Sequence, residues 1–118
     1  MYADDDTHPI PSIDNLDILA ELRGGGAKLV IVIATPLQAD ERSQRRLLKK
    51  IENYLEYISS PEFKNEFGAP DPSRVSIVVK IHKQSDPVVF DLLKRCEPWA
   101  LQNKATLTFD TDLNNFHQ

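Results

Sequence analysis

The chain has little of what most sites are built from. It holds one cysteine, Cys96, so neither an internal disulfide framework nor a multi-cysteine zinc site can form. Histidine is scarce too: His8 and His117 fall near the ends and His82 stands by itself, so no pair has the helical or turn spacing of metal ligands. The sequence therefore predicts no metal and no cofactor. No apolar run approaches the roughly 18 residues of a membrane span, and no charged-apolar-small signal pattern opens the chain. With a thiol so rare, these absences predict a reduced, cytoplasmic compartment without a membrane association. Aromatic residues are 8% of the total and do not interleave with the basic ones, and the net charge is -4. Both features argue against a nucleic-acid binder.

Apolar residues are nevertheless 41% of the 118, enough for one hydrophobic core, and the length allows only one domain. Residues 1–11 carry Asp4, Asp5, Asp6 and two prolines with no periodic apolar pattern, which predicts a disordered N-terminal tail. The domain is placed at 12–110, and 111–118 read as a C-terminal tail.

Lys28 to Thr35 is the clearest element. Its six consecutive apolar residues, four of them β-branched, end at Pro36 and predict an interior strand. Before it, Asn15 to Leu22 alternates with Leu16, Ile18, Ala20 and Leu22 on one side, and Gly24-Gly25-Gly26 makes the turn of an antiparallel hairpin. A phosphate-loop reading of these glycines fails because they lead into a strand, with no Lys-Ser/Thr behind them. Leu47, Leu48, Ile51, Tyr54, Leu55 and Ile58 recur at helical period, predicting a helix over about 40–59 with Asp40 as its N-cap. Ser60-Pro61 through Gly68 reads as a short helical turn that tucks in Phe63 and Phe67. Arg74 to His82 alternates as a second internal strand. A second main helix opens at Asp86-Pro87, with a break expected near Glu97 because of Pro98, and Ala105 to Asp110 is the last strand. The prediction is an α/β domain of two layers, β-β-α-β-α-β, with a four-stranded mixed sheet and two main helices. Those helices cover one sheet face, so the apolar surplus on the other predicts a homodimer.

Two groups of residues could carry function. Arg42, Arg45, Arg46, Lys49 and Lys50 crowd the N-terminal half of the first helix, where the helix dipole disfavours cations. They predict either a solvated face or a cationic ridge for an acidic partner, nucleic acid or a phosphate-bearing ligand. If the internal strands are parallel neighbours, the loops at their carboxyl ends bring together Asp40, His82, Ser85 and Asp86, the usual ligand position of open α/β sheets. A small enzyme with a site near His82 is the reading this allows, although two of the four residues are well explained as helix caps. Cys96, Trp99, Tyr54 and Tyr57 read as packing residues.

The opening Asn15-Leu16-Asp17-Ile18, the glycine hairpin and the helix Leu47-Leu48-Lys49-Lys50-Ile51-Glu52-Asn53-Tyr54-Leu55-Glu56-Tyr57-Ile58 together resemble a small bacterial family built on a domain of unknown function. The resemblance spans about 15–109 and implies a bacterial cytoplasmic protein. It supplies no functional residues. The function expected from the residues is a non-catalytic protein-interaction module.

Overall fold

The structure is a computed structural model that describes residues 3–113. His117, one of the histidines read as a tail residue, lies outside them, as does most of the segment read as a C-terminal tail.

Four strands form one sheet in sequence order: β1 (Ile18–Glu21), β2 (Ala27–Ile33), β3 (Val75–Ile81) and β4 (Thr106–Asp110). β1 and β2 are antiparallel, while β2–β3 and β3–β4 are parallel. Helix α1 (Glu41–Ile58) joins β2 to β3, followed by the short helix α2 (Pro61–Phe67) and a single 3-10 turn, Pro72–Arg74. Helix α3 (Pro87–Gln102) joins β3 to β4. Both crossovers advance in the same direction across the sheet, so right-handed connections place α1 and α3 on one face. The predicted two-layer mixed sheet is the fold found.

Local chemistry explains the element ends. Asp40 caps α1 by accepting the Ser43 amide, and Ser60 caps α2 with proline at its first position. Asp86 does the same for α3 by accepting the Val88 amide. The glycine turn is a hairpin, and all three glycines have positive φ. Gly26 allows no side chain at all: a Cβ there would stand 2.1 Å from the Arg74 carbonyl oxygen. Arg74 also clasps the turn, donating to the Gly25 and Arg23 carbonyls at 3.0 and 2.6 Å.

The core lies between the sheet and the helices. Leu29, Ile31, Ile33, Ile77, Val79 and Leu107 meet Leu47, Ile51, Leu55, Leu93 and Cys96. α3 turns Val89, Leu93, Cys96 and Ala100 into the core and leaves Val88 exposed.

Three expectations need correction. The helix does not break at Pro98: α3 runs through it to Gln102. Pro98 and Lys94 are both on the exposed side, so the carbonyl freed by the missing N–H can turn to water. β1 is shorter than its apolar alternation and faces the other way. Leu19 pairs with Leu29 and shares its helix-covered face, whereas Ile18 and Ala20 lie on the outer face with Val30 and Lys28.

The largest correction is at the amino end. From residue 3 onward the segment read as a disordered tail packs beside α1, and its Ile10, 1% exposed, enters the core beside Ile13 of the predicted domain. Its apolar pattern is not periodic because it is neither helix nor strand. Its anchors are single side chains and backbone carbonyls.

Candidate functional site

The loops at the carboxyl ends of β2 and β3 do lie side by side. The His82 amide donates to the Ile33 carbonyl at 2.9 Å, continuing the ladder one residue past β3. The next contacts bind loop to loop: the Leu37 amide donates to Ser85 Oγ, and the Asp86 amide to the Leu37 carbonyl, both at 2.9 Å. Adjacency was legible in the sequence, but the polar side chains there are engaged by backbone. Ser85 is buried with its oxygen accepting an amide, and His82 Nδ1 accepts the Gln84 amide at 3.0 Å. Asp40 and Asp86 are committed to their caps. Hydrogen bonds from Ser43 hold the Asp40 carboxyl below the ordinary range, consistent with a permanently ionised cap. These four residues do not converge as an acid-base or nucleophile set. They close the top of the sheet.

The five basic residues of α1 do not form one ridge. Arg46 and Lys50 are each 1% exposed. Arg46 turns inward to the amino-terminal segment, donating through Nε and a terminal nitrogen to the Ile10 carbonyl at 3.0 and 2.6 Å. Its other terminal nitrogen reaches the Ala3 carbonyl at 2.9 Å. Lys50 donates to the Ser12 carbonyl at 2.6 Å and to Asp17 Oδ1 at 2.8 Å. The outward three each meet a carboxylate: Arg42 with Asp5 at 2.7 Å, Arg45 with Glu41, and Lys49 with Glu52 at 2.8 Å. Helical period places Arg46, Lys50 and Asn53 on the shoulder of the apolar stripe. That shoulder signal was available, but only the docked segment shows why cations belong there.

What the basic residues build is a polar seam between α1 and residues 3–17. His8 Nε2 lies 2.9 Å from Ser43 Oγ, and Asn53 donates to the Ile13 carbonyl at 3.0 Å. Tyr54 sits where β1 begins: its hydroxyl donates to the Val30 carbonyl at 3.0 Å and accepts the Asp17 amide at 2.9 Å. Asp17 Oδ2 accepts the Val32 amide at 2.9 Å, beyond the last β1–β2 pair. The side chain thus extends the hairpin past the point where the β1 backbone joins it. Burial pushes the Tyr54 phenol far above its usual range, so it stays a donor. Burial likewise raises the Cys96 thiol, in keeping with a small core residue and not a reactive nucleophile.

Two other features complete the surface. A cavity of about 530 Å³ opens at the opposite end of the sheet, walled by Ile58, Phe63, Pro70, Val75, Asn103 and Lys104. The outer sheet face carries Ile18, Val30, Val32 and Val78 across three adjacent strands. Among the described residues no helix or strand lies over it. Val30 is buried there, as are two lysines. Lys80 pairs with Asp110 at 3.0 Å, but Lys28, 6% exposed, has no hydrogen-bond or ion-pair partner among the described residues. Composition could not reveal this lysine, because its burial depends on the strands to either side. Among the described residues no helix is long and apolar enough to cross a membrane.

No protein family, curated protein or solved structure matches the chain.

Proposed function

We propose that the protein is a non-catalytic interaction module whose docking surface is the outer face of the sheet, and that the occupant is a second copy of this chain. The observation that carries this reading is the join of apolar and charged features on that face. Valines of β2 and β3 form a continuous patch with no described element above it, and Lys28 lies beside them without an acceptor. The stem of Lys28 is buried while its ammonium keeps access to solvent, so it is a donor that a carboxylate or hydroxyl brought by another surface can take up. The same face supplies such groups on its β3–β4 side, namely Ser76, Thr106 and Thr108. A two-fold contact sets a patch against itself, so a face that carries valines, the Lys28 ammonium on β2 and hydroxyl acceptors on β3 and β4 can meet a second copy of itself. The engagement of Asp40, His82, Ser85 and Asp86 by caps and backbone further favours a binding role over a catalytic one.

Light scattering over a range of concentrations tests this. The expected mass is twice 13.4 kDa. Val78→Glu places a charge in the middle of the patch and is expected to return the monomer while circular dichroism stays unchanged. Thr108→Lys, at an exposed position, serves where Val78→Glu unfolds the chain. A monomer at every concentration overturns the dimer.

A further inference from the structure

The amino-terminal segment is held by an imidazole whose tautomer can be read from its neighbours. The Ile10 amide lies 2.9 Å from His8 Nδ1 and can only donate, so Nδ1 carries no proton. The ring proton is on Nε2, which donates to Ser43 Oγ in the first turn of α1 at 2.9 Å. Both ring nitrogens are therefore used, and only a neutral imidazole can use them this way. The bond to Ile10 sets the residue whose side chain plugs the core and whose carbonyl receives Arg46 twice. Two more ties attach this stretch to α1, Asp5 to Arg42 and Arg46 to the Ala3 carbonyl, and within the stretch the Asp5 amide donates to the Pro11 carbonyl at 2.8 Å.

We propose that residues 3–11 are a strap latched by neutral His8, and that protonation of this histidine releases them from α1. A proton on Nδ1 sets two donors face to face and abolishes the Ile10 bond. The imidazolium also stands among cations. From α1 it faces Arg46 and Arg42, and among the described residues the carboxylates that act on it are Asp40, before α1, and Asp5 of its own segment. Both carboxylates are already engaged, by Ser43 and by Thr7 with Arg42. Burial first, then Arg46 and Arg42, hold His8 below its ordinary value of 6.5.

The direction follows from this. The released strap binds the proton more readily than the docked one, so attachment is complete above pH 6.5 and is lost as pH falls through the docked value. Residues 12–17 have their own anchors in Lys50 and Asn53, so the strap opens at Pro11 and leaves β1 in place. Release uncovers Arg46 together with the apolar socket of Ile10, at the end of the sheet where the two loops meet. A site closed at neutral pH would thus open in mild acid.

Amide exchange of the full chain, corrected for intrinsic rates, tests the latch. Between about pH 7.5 and about pH 5 the Asp5 and Ile10 amides are expected to lose about tenfold or more of their protection, while Ile77 and Val79 keep theirs. His8→Gln, which can still accept but does not titrate, is expected to hold constant protection across that range. Unchanged protection in the wild type, or an equal loss in His8→Gln, overturns the proposal. Where His8→Gln leaves the strap loose at neutral pH, imidazole nitrogen shifts of the wild type decide. A bare Nδ1 and a titration midpoint below 6.5 support the latch, and a protonated Nδ1 or a midpoint at or above 6.5 overturns it.

Discussion

Lys50 on α1 and Asp17 ahead of β1 form an ion pair of 2.8 Å that joins the helix to the start of the sheet. The lysine side chain is almost wholly enclosed, and its remaining acceptor is the Ser12 carbonyl. One carboxylate oxygen meets this ammonium and the other meets the Val32 amide, so a single aspartate compensates a buried charge and completes a strand edge.

Removing one partner is therefore worse than removing both. Asp17→Asn leaves an enclosed ammonium against a neutral amide and is expected to cost about 3 kcal/mol, the low end for a broken buried pair. Lys50→Met with Asp17→Asn is expected to recover about 1 kcal/mol or more of that loss, since no charge then stays buried. Urea denaturation of the single and double variants measures the difference. Equal loss in both would show that the lysine is well solvated.

Tyr54 is a second joint in the same seam. Tyr54→Phe keeps the ring in the core but strips a partner from the Val30 carbonyl and from the Asp17 amide. A loss of about 1–3 kcal/mol is expected. The phenol adds a pH dependence. Its folded value lies above the ordinary 10.0, so its contribution is complete below pH 10 and fades as pH rises toward the folded value. Stability of the wild type above pH 10 is thus expected to fall more steeply than that of Tyr54→Phe, as read from urea midpoints in alkaline buffers.

The hairpin turn offers a contrast between two neighbouring glycines. Both Gly25 and Gly26 have positive φ, so alanine at either is strained by about 1–2 kcal/mol. A Cβ on Gly25 meets open space, whereas on Gly26 it drives into the Arg74 backbone. Gly26→Ala is expected to cost at least about 2 kcal/mol more than Gly25→Ala, measured by thermal or urea unfolding. Comparable losses would mean that the turn and Arg74 can move apart.

Much of this molecule was determined by local sequence. Six apolar residues before Pro36 could hardly be other than an interior strand, and Asp40, Ser60 and Asp86 announce their helices because a side-chain oxygen must meet the first free amides. The apolar stripe from Leu47 to Ile58 and the alternation from Val75 to Ile81 identify the faces that meet in the core. From two such crossovers the strand neighbours follow, and with them the meeting of the loops at Leu37 and Ser85.

Only the tertiary structure decided what happens along the shoulder of α1. Ile10 and Ile13 are isolated apolar residues among prolines and aspartates, and no period marks them. Arg46 and Lys50 read as surface charges because their partners are chiefly backbone carbonyls, which every sequence has and none displays. The orientation of β1 was hidden for a related reason: register, set by the glycine turn, chooses which alternate residues face the helices. Periodicity reports burial that repeats along one element. Burial made once, by one segment crossing another, becomes visible only when the chain has folded.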